Sequence, residues 1–157
     1  MRGQNVTAGY LDDPAATRAS RTDDGFLRTG DLGRLDAEGR LVVVDRLKDL
    51  IVRGGFNVVP AEVEAVLARH EDVRGVAVVG IADAHFGEEI VAVIESAEDL
   101  AIAALDDFAR ASLSPVKVPR WYVFVRSIPL GTSGKIVRRE LRDALMAGKL
   151  TMTRVPN

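Results

Sequence analysis

The stretch PLGTSGKIVRREL, residues 129–141, sets Lys135 behind two closely spaced glycines. A glycine followed by lysine suggests phosphate chemistry. A phosphate-cradling P-loop, however, needs four residues between its glycines and a Ser or Thr after the lysine. Here only Thr132 and Ser133 separate Gly131 from Gly134, and Ile136 follows Lys135, which excludes a Walker P-loop. What is left is a mobile ammonium on a flexible stem, able to neutralise a carboxylate and a phosphate together. Taken alone, it reads equally well as a solvated lysine ahead of a helix. In RTGD, Arg28–Asp31, a carboxylate held after a glycine turn could accept two hydrogen bonds from a vicinal diol such as a ribose. The plain alternative is a turn aspartate beside a strand. In DRLKDLIVRGG, Asp45–Gly55, Arg46 could pair with phosphate or ribose oxygens, and Gly54-Gly55 would admit a close ligand or backbone. The plain alternative there is a charged linker and a tight turn.

The elements that must hold these residues follow from periodicity and breakers. Residues 1–25 are polar and read as irregular, with one helical turn near Pro14–Arg18. Two strand-like runs flank Ala37-Glu38-Gly39, where Gly39 supplies the positive φ of a hairpin. After Arg46 the pattern becomes mixed. A short strand, the Gly54-Gly55 turn and an extended segment lead to Pro60 at a first helical position, with Val63, Val66 and Leu67 on one face. Two strands follow, in VRGVAVVGIAD and EEIVAVIES, joined by a polar loop. The segment EDLAIAALDDFARASL is predicted to be a helix with Ala101, Leu105, Phe108, Ala109 and Ser112 as its stripe, broken by Pro115 and Pro119. The run WYVFVRSIP reads as a strand, with Trp121 and Tyr122 in core packing. The final helix, VRRELRDALMAG, points Val137, Leu141, Ala144 and Leu145 inward and leaves Arg138, Arg139 and Arg142 outside. The fold class is α+β: a small mixed sandwich preceded by a hairpin, with a boundary near Arg46–Lys48.

Composition narrows the function. The chain has 157 residues and a net charge of −2, so no broad basic field points to nucleic acid. It has no cysteine, which excludes thiolate zinc sites and cysteine nucleophiles and fits a reducing compartment. No apolar run is long enough to span a bilayer, and the first ten residues lack a signal-peptide core. The expectation is a cytoplasmic protein without a transmembrane segment. His70 and His85 stand apart with no ligand constellation, so no metal ligands are expected among these residues.

In order and spacing together, these stretches resemble the C-terminal part of the adenylate-forming superfamily: acyl-CoA synthetases, adenylation domains of peptide synthetases, and luciferases. The resemblance runs from RGQNVTAGYLDDPAAT through GFLRTGDLGRLDAEGRLVVVDRLKDLIVRGGFNVVPAEVEAVL to PLGTSGKIVRREL. Within it, GGFNV-P-EVE is most like bacterial fatty-acyl-CoA ligases. The resemblance implies that residues 1–46 are a remnant of a large N-terminal domain, 47–48 a hinge, 49–146 a mobile C-terminal domain and 147–157 a tail. It implies that Asp31 binds the ribose hydroxyls of ATP, that Arg46 contacts the nucleotide, and that Lys48 is the hinge residue. Gly54 and Gly55 would form the thioester-step face beside the pantetheine arm of coenzyme A. Lys135 would be the catalytic lysine of adenylation.

The implied reaction takes a fatty acid, ATP with Mg2+, and coenzyme A to acyl-CoA, AMP and pyrophosphate through an acyl-adenylate. The small domain would rotate between the two steps. The phosphate loop, the magnesium glutamate and the acyl pocket of the large domain are not in these residues, so the chain alone is expected to be inactive. Lys135 is also a candidate target for a lysine acyltransferase. Val52 stands where many members carry a lysine, which disfavours a luciferase-like role. No carrier-protein segment follows Leu145, which argues against a peptide synthetase. Two other readings stay open: a free-standing domain that binds or complements a partner ligase, and a part of another adenylating enzyme acting on an aryl or amino acid.

Overall fold

The computed structural model describes residues 1–96, 100–132 and 134–155. The chain divides into two compact units, Met1–Lys48 and Asp49–Asn157.

In the first unit, Pro14 opens a short helix, α1 (Pro14–Ala19), at the position where its missing N–H costs nothing. Asp13 caps it, its Oδ1 accepting from Ala16 N at 2.8 Å. Strands β1 (Asp31–Leu35) and β2 (Leu41–Arg46) form an antiparallel hairpin. Its turn is fixed by Asp36, whose Oδ1 accepts from the backbone of Glu38 and of Arg40, at 3.0 and 2.8 Å. Gly39 takes φ +78° there, as the hairpin requires.

The second unit is built on one mixed sheet. Its elements are β3 (Ile51–Arg53), β4 (Phe56–Val58), α2 (Pro60–Leu67), β5 (Gly75–Asp83), β6 (Gly87–Glu95), α3 (Ile102–Ser112), β7 (Trp121–Val125), α4 (Arg138–Met146) and β8 (Thr153–Arg154). β6 lies at the centre, antiparallel to β5 along nine residue pairs and parallel to β7. The parallel pair requires a crossover, which α3 supplies. β3 joins the sheet where Arg53 pairs with Gly87.

β5 and β6 are buried on both faces, and their alternation sorts the core into two layers. Val76, Val78, Ile90, Ala92 and Ile94 pack with Val63 and Leu67 of α2 and Leu105 and Ala109 of α3. Ala77, Val79, Val91 and Val93 pack with Leu141 and Leu145 of α4. Helices thus cover both faces, and the expected α+β sandwich is what the chain forms.

Four details differ from the sequence expectation. The inward stripe of α3 is Leu105, Asp106 and Ala109, while Phe108 is half-buried and Ala101 and Ser112 are exposed. The helix starts at Ile102, so Ala101 is its cap rather than part of its face; Glu98 and Asp99 fall outside the described residues. In α4, Leu141 and Leu145 are buried but Val137 and Ala144 only half so. Arg138 and Arg142 do not stay outside: they turn inward to Glu64 and Asp49, and only Arg139 remains in solvent. Finally, the segment after α4 is not only a tail, since β8 pairs with β7 and Val155 is buried.

Candidate functional site

In the first unit, the hairpin register sets Asp31 opposite Arg46. Arg46 Nε lies 3.0 Å from Asp31 Oδ1, with the side chains 58% and 32% exposed. Gly30, at φ +73°, turns the chain into the strand, and its carbonyl accepts from Leu47 N at 2.8 Å. Thr29 Oγ1 accepts from Asp31 N at 3.2 Å. A carboxylate and a guanidinium are thus presented side by side on a short, tied strand end. Both remain open to solvent, and the carboxylate keeps acceptor capacity for hydroxyl donors. Lys48 is the last residue of this unit and sits in a single 3₁₀ turn, Leu47–Asp49.

Gly54 and Gly55 link β3 to β4 as a two-residue turn with φ of +56° and +84°. Two positive φ values define the type I′ hairpin, whose twist matches the flanking strands. A Cβ on Gly54 would lie 3.4 Å from Phe86, whereas one on Gly55 would meet nothing within 4 Å. The turn is held from the β5–β6 loop: Gly54 N donates to Phe86 O at 2.8 Å. That loop is in turn fixed by Asp83, whose Oδ1 accepts from His85 N and Phe86 N, both at 2.9 Å. These backbone donors, Phe86 first, hold the Asp83 carboxyl below its ordinary pKa.

Beside the turn lies a cluster that the motifs did not single out. Arg53 stacks over the Phe86 ring, 5.2 Å from its centroid, and donates to Val116 O at 2.9 Å. It also pairs with Glu89, which is only 1% exposed. Arg120 approaches the same carboxylate at 3.7 Å. Arg53, Arg110 and Arg120 line one pocket of about 190 Å³, with Pro119 among its walls. The sequence held only a weak signal, the second of two glutamates at the head of an apolar strand run, which needs a cation when it is buried. It could not name the cation, because Arg53 and Arg120 flank Glu89 from two other elements.

Lys135 sits in a closed loop. Leu130 and Ile136 form an antiparallel bridge, and Gly131 N donates to Lys135 O at 2.8 Å. Gly134, at φ +72°, donates to Gly131 O at 2.9 Å. Gly131 packs close to the residue ahead of α4: a Cβ there would lie 3.2 Å from a Val137 methyl. The lysine backbone is therefore well tied, while its side chain is left to reach outward. Of the sequence-singled residues, Asp31 and Arg46 are thus brought together in the first unit. Gly54-Gly55 and Lys135 stand on separate elements of the second. Among the described residues, no group of three or more His, Asp or Glu is placed to hold a metal ion.

Residues 62–135, from α2 to Lys135, match the AMP-binding enzyme C-terminal domain family. Over 91% of this chain, the sequence is 44% identical to the methyl-dioxo-octahydroindenyl-propanoyl:CoA ligase of Rhodococcus jostii, covering 28% of that protein. It is 41% identical to a long-chain-fatty-acid–CoA ligase of Bacillus subtilis over 91% of this chain and 26% of that one. The ATP-bound crystal structure of MatB from Rhodopseudomonas palustris superposes with a TM-score of 0.86 at 36% identity, over 91% of this chain and 29% of that one. The second unit is an AMP-binding enzyme C-terminal domain. The chain belongs to the adenylate-forming superfamily and spans under a third of the length of the relatives it matches.

Proposed function

We propose that this chain is the C-terminal portion of an AMP-forming acid–thiol ligase. In the complete enzyme a carboxylate oxygen attacks the α-phosphorus of ATP, the bond to pyrophosphate breaks, and an acyl-adenylate forms. The sulfur of coenzyme A then attacks the acyl carbon and AMP leaves. The observation that carries this reading is that nine-tenths of the chain aligns with CoA ligases at over 40% identity.

Within it, Lys135 neutralises the charge that builds on the substrate carboxylate and the α-phosphate during attack. Asp31 accepts from the ribose hydroxyls, and Arg46 both holds Asp31 in place and contacts the nucleotide. Lys48 is the hinge residue. Gly54-Gly55 lets the pantetheine arm pass close to the backbone, because no side chain stands there. The neighbouring three-arginine pocket gives the phosphates of coenzyme A a cationic surface. Residues 1–46 belong to a large N-terminal domain, to which we assign Mg2+ binding and the acyl pocket. In support, the first unit exposes Tyr10, Leu11, Leu35, Leu41, Val43 and Leu47, an apolar surface that a partner would cover. The acid we propose is a fatty acid, on the stretch GGFNVVPAEVE. No helix among the described residues is long and apolar enough to cross a membrane, and a cytoplasmic location, where ATP and coenzyme A are at hand, completes the proposal.

The test is acid- and CoA-dependent release of AMP by the complete polypeptide that carries this chain, with the isolated chain as control. Acyl-CoA from the first and none from the second is expected. Thioester formation by the isolated chain overturns the proposal.

A further inference from the structure

Arg138, three residues after Lys135, is the first residue of α4. Its Nη2 donates to both oxygens of Glu64, each at 2.8 Å. The pair does more than neutralise itself. Glu64 Oε1 also accepts from Val78 N at 2.8 Å, and Arg138 Nε reaches Val78 O at 3.4 Å. α2 and α4 lie on opposite faces of the sheet, so the ion pair wraps the outer edge of β5 and satisfies both backbone groups of Val78 there. Both side chains are largely shielded, at 18% and 16% exposure. One turn further along α4, Arg142 Nη2 lies 3.3 Å from Asp49 Oδ1. α4 is thereby fastened at two points to the segment that carries Gly54 and Gly55.

We propose that Arg138 and Glu64 are positioning residues for Lys135: their ion pair fixes the start of α4, and with it the stem of the lysine loop, against β5. The inference rests on the reading of Lys135 as the adenylation lysine. The loop is short and closed by the Leu130–Ile136 bridge, so a shift at the first turn of α4 passes directly to Lys135. A displacement of about 1 Å in a charge-stabilising group can cost about a hundredfold in rate. The proposal gives the pair no contact with acid or nucleotide, so its effect belongs in kcat of the step that uses Lys135.

The experiment compares Arg138→Gln, Arg138→Lys, Glu64→Gln and the Arg138→Gln/Glu64→Gln double variant in the complete enzyme. ATP–pyrophosphate exchange is measured separately from acyl-CoA formation on supplied acyl-adenylate. Arg138→Gln and Glu64→Gln are expected to lower kcat for exchange about ten- to hundredfold, with KM for ATP and the thioester step within about threefold. The double variant should be no worse than the poorer single, because both lose one shared link. Arg138→Lys, which keeps the charge but not the fork, should fall between wild type and Arg138→Gln and remain folded. Equal loss of both half-reactions, multiplicative losses in the double variant, or unchanged exchange in the folded Arg138→Lys and Glu64→Gln variants overturns the proposal. Lys135→Ala is run alongside. Full exchange by that variant refutes the reading of Lys135 itself, a result distinguishable from failure of the clamp.

Discussion

Asp31 and Arg46 are cross-strand partners, joined at 3.0 Å at the open end of the β1–β2 hairpin. Both are well exposed, so their attraction contributes little to folding, about 0.5 kcal/mol. On the nucleotide-binding role proposed for them, their value lies in the ligand they leave room for. In the complete enzyme, Asp31→Ala is expected to raise KM for ATP about ten- to hundredfold through lost charge-assisted hydrogen bonds. The melting temperature should barely move. Steady-state kinetics and a thermal melt on the same variant check both halves.

The Gly54-Gly55 turn makes a sharper distinction between residue types. Asparagine visits the left-handed region readily, so Gly54→Asn should cost only a few tenths of a kcal/mol. Valine at either position should cost about 1–2 kcal/mol. At Gly55 an added Cβ has no atom within 4 Å, so a loss confined to the thioester step is assigned to the ligand. Gly55→Val should therefore slow acyl-CoA formation from supplied acyl-adenylate while leaving pyrophosphate exchange largely intact. Equal loss in both assays would contradict the assigned face.

Asp36 gives the hairpin a pH dependence. The Arg40 backbone N–H and then the Arg40 guanidinium hold its carboxyl below the ordinary value of 3.8. A lowered folded-state pKa means the folded form favours the ionised group. The resulting stabilisation is fully present above about pH 4 and is lost as pH falls through the lower folded value. The Arg40 amide resonance, followed by NMR, should titrate with a midpoint below 3.8, and Asp36→Asn should abolish that titration.

Much of this fold could be read from the chain before any coordinates. The continuous apolar runs of β5 and β6, Pro60 at the start of α2 and the glycine turns each follow from a local rule. The readings that failed have non-local causes. Arg138 and Arg142 look like a solvent face because both are charged, yet their partners Glu64 and Asp49 lie 74 and 93 residues away. β8 is two residues long, too short for any periodicity, and exists because β7 offers an edge. Asp106 is buried where a stripe of apolar residues was expected, compensated by Arg110 one turn on. Of the candidate site, the motif residues were legible as types. The Arg53–Glu89–Arg120 cluster, assembled from two strands and the loop before a third, was not.

Tyr122 offers a test of the core. Its hydroxyl is buried without a hydrogen-bond partner among the described residues, and burial, with Asp106 nearby, raises its pKa. Removing an unpartnered hydroxyl relieves a desolvation cost. Tyr122→Phe is therefore expected to leave stability unchanged or raise it by up to about 1 kcal/mol. Chemical denaturation measures this, and a loss of that size would instead reveal a bridging water.

The most direct measurement is ATP–pyrophosphate exchange by the complete enzyme with and without Lys135. Loss of one charge-stabilising donor at the reacting phosphate typically costs about a hundred- to thousandfold. Lys135→Ala should lose exchange to that extent while still converting supplied acyl-adenylate and coenzyme A to thioester. Exchange at the wild-type rate in the Lys135→Ala enzyme would contradict the account at its centre.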